Sequence, residues 1–482
     1  MATTVWATWP VVQVQVKATD WGQMDLHLDL DGAAGDSLRA RVEHALRDAV
    51  CDGRLAAGAR LPSTRALCGQ LGVSRGVVVD AYAQLAAEGY LQTRRGGGTT
   101  VAASISRARS RPTPGAGLPA VKHDLSPFRP ALGSFPRTSW AAAIARVLRT
   151  VPDERLGYPD PAGVPQLRAT LASYLGRVRG VRTDPEQVVV TTGFRQGVDL
   201  LWSALAEQGA RRVGVEQPGW RGMSETARAA GLLTVALPVD GDGLRVECLL
   251  EEPVDAVAVA PAHQYPTGAV LSPARRTALL DWARERGRLI VEDDYDAEYR
   301  YDRQPVGSLQ GLAPEHVAYG GSTSKTLAPV VRLGWVVLPR WLVAAVTEIH
   351  RRRGGFPSPL LQLGLADLIE RGELDRHLRR QRRRYKRQRE ELLGAIASEL
   401  PDVTVQGAAA GLYVVMHLPR RLDERMVLAV ARARGLAVEG GESEAPSLVI
   451  GYANLTPAAI GPAIAELAAS VREADGAPAS SR

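Results

Sequence analysis

The sequence predicts a multi-domain protein with an N-terminal winged helix-turn-helix and a C-terminal α/β domain built on a mostly parallel sheet. At 482 residues the chain is too long for one ordinary domain. Residues 36–101 are dense in helical apolar patterns, whereas strand-like apolar runs alternate with amphipathic helical patterns from Asp124 onward. A stretch rich in Ser, Arg, Pro and Gly separates the two parts, as expected of a linker.

Composition narrows the class of protein. Apolar residues make up 45% of the chain and charged residues 23%, which is typical of a globular protein. No run of 18 apolar residues predicts a membrane span, and the N-terminus lacks the features of a secretory signal. Cys51, Cys68 and Cys248 have no metal-ligand spacing and cannot form a disulfide framework. We therefore expect a cytoplasmic protein without a metal site.

The positive charge is concentrated in one segment. Residues 36–123 hold 13 Lys and Arg against 6 Asp and Glu, a surplus equal to the net charge of +7 of the whole chain. This excess favours a polyanionic partner, although many basic domains bind no nucleic acid.

Composition divides the chain into five segments. Residues 1–35 form an N-terminal extension that ends in the alternating, strand-like stretch MDLHLDLDG. Residues 36–101 are the predicted winged helix, and residues 102–123 are the linker. Residues 124–475 form the predicted α/β domain, and residues 476–482 form a C-terminal tail.

The winged helix is predicted element by element. A first helix has apolar residues at helical spacing, namely Leu38, Val42, Leu46 and Val50. Two shorter helices follow: Ser63 is expected to cap the first, Gly72 to end it, and Ser74 to cap the second. The core-facing positions of the second are Val78, Tyr82 and Leu85. The stretch YLQTRRGGGTTVAAS then predicts a two-stranded ribbon with glycines at its tip.

This segment resembles the GntR-type winged-helix domain, which has the pattern G-x-x-L-P-S-x-R-x-L-x-x-x-L-G-V-S-R followed by A-Y-x-x-L-x-x-x-G. The matching residues are Leu61, Pro62, Ser63, Arg65, Leu67, Leu71–Arg75, Tyr82, Leu85 and Gly89. Helix N-termini meet base edges in the major groove, so Arg75 and the neighbouring Ser74 are expected there. Residues expected on phosphate or in the minor groove are Arg65, Arg94, Arg95 and Thr99. The alternative is a basic helical domain that binds protein.

In the second half, five apolar runs each end in a polar or glycine cluster. The runs are QVVVTTG, RVGVEQPGW, AVAVAPAHQYPTG, RLIVEDDYDAEY and HVAYGGSTSK. Ligands collect beyond the carboxyl ends of the strands of an open parallel sheet, so these clusters should converge on one pocket. That pocket would contain the helix N-terminus after Gly193 together with Trp220, Asp293, Tyr295, Lys325 and Arg332.

These groups suit pyridoxal 5'-phosphate. A partly desolvated lysine such as Lys325 can lose its proton and bond to an aldehyde. Asp293 can keep the pyridine nitrogen protonated, and Tyr295 can donate to the ring's phenolate oxygen. Trp220 offers a face for ring stacking. Taken singly, each residue has a simpler interpretation, such as a solvated lysine or a core tryptophan, so the prediction depends on the ordered set.

The phosphate group has its own predicted residues. The backbone amides of Phe194 and Arg195 lie at a helix start, where the helix dipole favours an anion. The side chains expected to complete this site are Ser322, Ser324 and Arg332.

Residues 124–475 resemble the class I and II aminotransferases, which are fold type I pyridoxal phosphate enzymes. The resemblance is carried by GYPDPAGVPQLRATLASYL, by PTG at 266–268 and by S-K-x-x-x-P-x-x-R-x-G at 324–334. It implies a mostly parallel sheet with a smaller α+β subdomain, and it makes Lys325 the catalytic, cofactor-bearing lysine. It also implies a homodimer in which Tyr158 reaches the phosphate of the partner subunit.

A GntR-like winged helix joined to an aminotransferase-like domain is similar to the plan of the MocR subfamily of bacterial transcription regulators. The turn AHQYPTG resembles that subfamily's His-Gln-aromatic-Pro-x-Gly variant. The resemblance implies operator DNA as a partner, no membrane, and a small amine or amino acid as a possible effector. The helix RGELDRHLRRQRRRYKRQREELL could contact DNA, but we expect a solvated helix whose inward residues are Leu378, Tyr385 and Leu392.

One position departs from the enzyme pattern. Aminotransferases bind the substrate's α-carboxylate with an arginine near the C-terminus, and the corresponding stretch SLVIGYANL has Val449 at that place. A carboxylate substrate needs a bidentate guanidinium, so ordinary transamination is doubtful here. This feature resembles the PdxR-like branch, which implies control of vitamin B6 metabolism. The alternative is an active aminotransferase with an accessory DNA-binding module.

Overall fold

The structure is a computed structural model that describes residues 37–94, 98–102, 121–301, 306–407, 409–441 and 445–476, together with Leu26, Leu28 and Leu30. The chain divides into two compact units between residues 117 and 118. Arg95, most of the predicted linker and most of the predicted tail lie outside the described residues.

The smaller unit is a winged helix-turn-helix. Its elements are α1 (Leu38–Cys51), α2 (Thr64–Leu71), α3 (Arg75–Ala87), β1 (Leu91–Arg94) and β2 (Gly98–Val101). The two strands pair antiparallel, which confirms the predicted ribbon. Leu26, Leu28 and Leu30, alternate residues of the strand-like stretch, are partly buried against the core of this unit.

The predicted helix caps are confirmed. Ser63 Oγ accepts a hydrogen bond from the Ala66 amide at 3.1 Å, and Ser74 Oγ accepts one from the Val77 amide at 3.4 Å. Gly72 ends α2 with a φ of 65°, a conformation that suits glycine. The predicted core positions of α1 and α3 are buried except Leu38, which is exposed. Leu38 is the first residue of α1, where the chain has only begun to pack.

The larger unit is built on an eight-stranded mixed sheet with the order β4-β11-β10-β9-β8-β5-β6-β7. Its strands are β4 (Val188–Thr191), β5 (Arg212–Gln217), β6 (Leu233–Asp240), β7 (Gly243–Leu244), β8 (Ala256–Val259), β9 (Leu289–Asp293), β10 (Val317–Ser322) and β11 (Gly334–Val337). Strands β10, β9, β8, β5 and β6 run parallel, whereas β11 is antiparallel to both neighbours. The sheet is therefore mostly parallel, as predicted.

A second, antiparallel sheet has the order β12-β13-β16-β15, and a short strand pair joins β3 to β14. The strands are β3 (His123–Asp124), β12 (Thr404–Gln406), β13 (Tyr413–His417), β14 (Leu436–Ala437), β15 (Glu439–Gly440) and β16 (Ser447–Gly451). With the helices α14 (Glu424–Ala433) and α15 (Pro457–Gly476) they form the smaller α+β part of this unit.

The helices of the larger unit are α4 (Arg137–Thr150), α5 (Pro165–Arg179), α6 (Phe194–Glu207), α7 (Arg221–Ala229), α8 (Cys248–Glu251), α9 (Pro273–Arg286), α10 (Thr323–Thr326), α11 (Arg340–Arg353), α12 (Pro359–Glu370), α13 (Glu373–Glu399), α14 (Glu424–Ala433) and α15 (Pro457–Gly476). Successive strand residues point to opposite faces: Val188 and Val190 of β4 join one apolar cluster, and Val189 joins another.

The long basic helix α13 packs as the sequence predicts. Leu378, Tyr385 and Leu392 are buried on its inner face, and the Tyr385 hydroxyl accepts the Ala131 amide hydrogen at 2.9 Å. Among the helices that the structure describes, none has the length and apolar character needed to cross a membrane.

Candidate functional site

One cavity of about 220 Å³ lies where β9 and β10 end and α6 begins. Its lining brings together nine of the ten residues predicted to bind the cofactor, which are Phe194, Arg195, Trp220, Asp293, Tyr295, Ser322, Ser324, Lys325 and Arg332. These residues are spread along the sequence from Phe194 to Arg332. They meet because the parallel strands end at the same edge of the sheet.

Tyr158 is the exception. It does not line this cavity, and its side chain is fully exposed on the chain. Its predicted role involves a partner subunit, so that role stays a prediction.

Two glycines precede Lys325 at positions where neighbouring aromatic rings leave no room for a side chain. A Cβ at Gly320 would collide with the Phe194 ring, and one at Gly321 would lie 2.8 Å from the Trp335 ring nitrogen. Burial lowers the pKa of Lys325 to about 8, although Asp296 and Asp293 oppose the shift. About a tenth of this lysine is therefore uncharged at pH 7, far more than of an ordinary lysine, and the uncharged form is the one that can attack.

Asp293 is a buried acid without a hydrogen-bond partner for one oxygen. It ends β9 and pairs in register with Gly320 of β10. Its Oδ1 atom has no partner among the described residues. Burial raises its pKa well above the ordinary value, and Asp294, Asp296 and Glu216 add to the shift. A protonated ring nitrogen would supply the hydrogen bond and the positive charge that this carboxyl group lacks.

The part of the cavity around Gly193 and Arg332 suits an anion. Gly193 precedes α6 with a φ of 140°, and a Cβ there would lie 3.7 Å from Arg332 Nη1. A Cβ at Gly334 would lie 2.7 Å from the Gly193 Cα, so the backbones approach closely. Ser322 Oγ accepts the Ser324 amide hydrogen at 3.4 Å. A helix N-terminus, a guanidinium and two hydroxyl groups thus meet at one place.

The predicted DNA-contacting residues of the smaller unit lie mostly on its surface. Arg65, Ser74, Arg75 and Arg94 are exposed, and Thr99 is half-buried with its hydroxyl 3.5 Å from that of Thr93. These positions span the start of α2, the start of α3 and the ribbon.

A hydrogen bond across the motif holds the middle of α3. The Tyr82 hydroxyl donates to the Pro62 carbonyl at 3.0 Å, and this bond ties α3 to the segment that precedes α2. Arg75 is the first residue of this helix.

Comparisons with known proteins agree with both units. Residues 38–101 match the family of bacterial regulatory proteins called gntR, and residues 131–467 match aminotransferase class I and II. The probable rhizopine catabolism regulatory protein MocR of Rhizobium meliloti is 34% identical over 431 residues, which cover 85% of this chain and 87% of that protein. This chain belongs to the MocR family of GntR-type transcription regulators.

Two further relatives extend the comparison of this MocR-family chain. The pyridoxine biosynthesis transcriptional regulator PdxR of Corynebacterium glutamicum is 32% identical over 438 residues, covering 89% of this chain and 94% of that protein. The crystal structure of LysN, an α-aminoadipate aminotransferase of Thermus thermophilus, is 27% identical with a TM-score of 0.66. The match covers 73% of this chain and 92% of LysN. The GntR domain implies that this MocR-family chain binds DNA.

The structure adds a buried hydrogen-bonded group around Tyr295 that the sequence did not single out. The Tyr295 hydroxyl lies 3.2 Å from His263 Nδ1 and 3.1 Å from the Tyr413 hydroxyl. His263 Nδ1 also lies 2.9 Å from Asp296 Oδ2. Histidine 263 belongs to the HQYPTG turn and Asp296 to the acidic run after β9, so both had a signal, whereas Tyr413 had none.

Other lining residues also escaped the sequence analysis. Phe128, Glu216 and Tyr265 face the cavity, and Glu216 Oε2 accepts the Ala260 amide hydrogen at 3.2 Å. Burial raises the pKa of Glu216 to about 8. Val449, which stands at the expected place of the substrate arginine, is buried in an apolar cluster with Tyr413 and Val415. No group of three or more acidic, histidine or cysteine side chains among the described residues is arranged to hold a metal ion.

Proposed function

We propose that this chain is a transcription regulator whose larger unit binds pyridoxal 5'-phosphate covalently through Lys325. The observation that carries the proposal is the cavity that combines Lys325, the buried acid Asp293 and the anion-suited start of α6; Asp293 Oδ1 has no partner among the described residues. The proposal extends over residues 36–101 as the DNA-binding domain and residues 124–475 as the cofactor-binding domain.

When bound, pyridoxal phosphate would supply an aldehyde carbon that reacts with amines and a ring that withdraws electrons. Lys325 would provide the amine that holds the cofactor, and Asp293 would keep a proton on the ring nitrogen. The Tyr295 hydroxyl would donate to the ring oxygen, and Trp220 would pack on the ring. Groups proposed for the phosphate are the amides of Phe194 and Arg195 and the side chains of Ser322, Ser324 and Arg332.

The smaller unit would bind operator DNA. Arg75 and Ser74 at the start of α3 would enter the major groove. The proposed contacts to phosphate or the minor groove are Arg65, Arg94, Arg95 and Thr99. A homodimer would carry two such units to two half-sites, and the exposed Tyr158 would reach into the partner subunit's site.

Cofactor occupancy would control DNA binding by changing how the dimer positions its two winged helices, in the cytoplasm. The relative named as a regulator of pyridoxine biosynthesis supports a role in vitamin B6 metabolism, and control of an amino-acid-related pathway is the alternative.

A gel-shift titration tests the proposal. The full-length protein, with and without pyridoxal phosphate, is mixed with a labelled fragment from upstream of its own gene. We expect the apparent dissociation constant or the bend of the complex to change with cofactor, and an unrelated fragment of the same length to bind equally in both states. Identical binding with and without bound cofactor would refute control by occupancy.

The second candidate function is an active aminotransferase with an accessory DNA-binding module. The likeness of the larger unit to LysN favours it. Mixing the loaded protein with an amino acid and a keto acid distinguishes the two functions. Sustained turnover supports the enzyme, whereas a single stoichiometric exchange supports the regulator.

A further inference from the structure

The Tyr295 hydroxyl lies between two buried side chains that the proposed function does not use. His263 Nδ1 is 3.2 Å from it, and the Tyr413 hydroxyl is 3.1 Å from it. Tyr295 lines the cavity, whereas His263 and Tyr413 are buried behind it. The direction in which Tyr295 points its one proton therefore decides whether that proton is available to a ligand.

Tyr413 can only accept a hydrogen bond from Tyr295, because its own proton is engaged elsewhere. The Tyr413 hydroxyl donates to the Gln264 carbonyl at 3.1 Å, and a carbonyl oxygen can only accept. Burial raises the pKa values of Tyr295 and Tyr413 well above the ordinary value of a phenol, so each keeps its single proton near neutral pH. The proton between the two phenol oxygens is thus the proton of Tyr295.

His263 offers no acceptor for the same proton. Its Nδ1 atom lies 2.9 Å from Asp296 Oδ2, and both side chains are buried. Two lone pairs repel each other at that distance, so a proton lies between these atoms, carried either by the nitrogen or by the acid. In the first form Nδ1 has no lone pair, and in the second its lone pair accepts from Asp296. The Tyr295 proton is therefore left to Tyr413 on this side of the cavity.

The surrounding backbone fixes the pair of His263 and Asp296. Gly411 has a φ of 76°, and a Cβ there would lie 2.2 Å from His263 Cε1 and 2.8 Å from Asp296 Oδ2. A larger residue would push the pair apart, so this close approach requires glycine. The His263 ring also stacks on the Tyr413 ring, with centroids 5.1 Å apart. The acid, the imidazole and the phenol that accepts the Tyr295 proton thus form one buried group.

We propose that Tyr413 is a positioning residue that holds the Tyr295 proton in the cofactor-free protein and releases it to the ring oxygen of the bound cofactor. This inference rests on the proposed function, in which Tyr295 donates to that oxygen. On binding, the hydrogen bond from Tyr295 to Tyr413 breaks and a hydrogen bond from Tyr295 to the ring oxygen forms. No covalent bond changes, and Tyr413 keeps its bond to Gln264.

The two roles that Tyr413 could have predict opposite effects of Tyr413→Phe. If Tyr413 holds the proton, its hydroxyl competes with the cofactor, and removing it should tighten cofactor binding. If the hydroxyl only supports the structure, removing a buried hydrogen bond should loosen the site and weaken binding. The Gln264 carbonyl keeps one partner in the variant, because it also accepts the Gly268 amide hydrogen at 2.7 Å.

Equilibrium titration of the cofactor-free, full-length protein tests the inference. The probe is pyridoxamine 5'-phosphate, which has the ring oxygen but no aldehyde, so a covalent bond to Lys325 does not contribute. Isothermal titration calorimetry gives its dissociation constant. Tyr413→Phe should bind the probe about threefold more tightly, because one neutral hydrogen bond no longer has to break. Tyr295→Phe should bind it about tenfold more weakly, because the ring oxygen loses its donor.

A double variant and a matched control separate this role from a general effect on the structure. In the Tyr295→Phe protein, the further change Tyr413→Phe should leave the affinity unchanged, because no proton remains to compete for. The control is Tyr452→Phe: Tyr452 is buried, and its hydroxyl also donates to a backbone carbonyl, that of Gly411, at 2.8 Å. Its loss should not alter the affinity for the probe.

A second substitution covers the case in which Tyr413→Phe does not fold. Placing 3-fluorotyrosine at position 413 keeps the hydroxyl and its bond to Gln264, but fluorine makes the hydroxyl oxygen a weaker acceptor. The probe should then bind about twofold more tightly, in the same direction as with Tyr413→Phe.

The outcomes separate this inference from the proposed function. A protein that binds neither pyridoxal phosphate nor the probe overturns both. Binding that Tyr295→Phe does not weaken overturns the Tyr295 contact and the inference, but leaves attachment through Lys325 intact. Unchanged or weaker binding by Tyr413→Phe overturns the inference alone, as does tightening that persists in the Tyr295→Phe protein. Tightening by Tyr413→Phe that disappears in the Tyr295→Phe protein supports it.

Discussion

The two units of this chain present their basic residues in opposite surroundings. In the smaller unit, Arg65, Arg75 and Arg94 stand exposed on a scaffold whose helices are capped by serines. In the larger unit, Lys325 is largely buried beside Asp293, and the pKa values of both are shifted mainly by burial. The exposed arginines of the smaller unit can attract a polyanion through water. Burial in the larger unit instead changes the protonation of Lys325 and Asp293.

The two kinds of surroundings should respond differently to substitution. An exposed arginine contributes mainly through its own contact, so its removal should weaken DNA binding by a limited factor. A buried reactive group depends on the dielectric and charges around it, so its neighbours also control its behaviour.

The largest effect is expected for Lys325→Ala. Without the amine, covalent attachment of pyridoxal phosphate should be lost completely, because the bond needs the ε-nitrogen. The measurement is borohydride reduction followed by mass spectrometry of the intact protein. The control is Lys386→Ala, since Lys386 is exposed on α13 beside Glu390. Cofactor still trapped in the cavity of Lys325→Ala would contradict the assignment of the lysine.

Arg75→Ala should weaken operator binding about tenfold to a hundredfold, as expected for one arginine that contacts a base edge. Cofactor absorbance should be retained, because Arg75 belongs to the other unit. Fluorescence anisotropy on labelled operator measures the affinity. Arg39→Ala is the matched control, because Arg39 is an exposed arginine of α1 that pairs with Glu43. Normal binding by Arg75→Ala would remove α3 from the proposed interface.

Local patterns predicted the winged helix almost completely. The caps at Ser63 and Ser74 and the end of α2 at Gly72 were all foreseen, because each depends on residues within four positions. Leu38 was the exception, since helical spacing marks a face but not how far the core extends along it.

The sequence predicted the site residues that lie at or just after the ends of strands, and it missed residues that reach the site from elsewhere. Polar residues after apolar runs predicted Asp293 and Lys325, because parallel strands bring their carboxyl ends to one edge. Phe128 precedes the sheet, and Tyr413 belongs to the second sheet. Their arrival at the cavity depends on packing between distant segments, and no short pattern encodes it.

The pH dependence of cofactor uptake tests the buried environment of Lys325. The reactive form is the neutral amine, and the pKa of Lys325 is about 8. The uptake rate should therefore fall about tenfold per pH unit below that value and level off above it. Stopped-flow absorbance of the cofactor-free protein mixed with pyridoxal phosphate measures it.

Asp296→Asn sharpens this test, because Asp296 raises the pKa of Lys325. The variant should level off at a lower pH than the unchanged protein. A plateau that stays in place, or moves to higher pH, would show that Asp296 does not act on the lysine.

The smallest expected effect is a difference in DNA affinity between variants of two serines that cap neighbouring helices in the same way. Ser63→Ala and Ser74→Ala each remove one side-chain cap, so each should lower the stability of the winged unit by about 1 kcal/mol. Hydrogen exchange at the α2 and α3 amides of the full-length protein measures this loss. Ser74 adjoins Arg75 at the proposed groove-facing helix start, so only Ser74→Ala should also weaken operator binding, by about threefold. Equal DNA affinities for the two variants would mean that Ser74 acts as a cap alone, and the interface would then begin at Arg75.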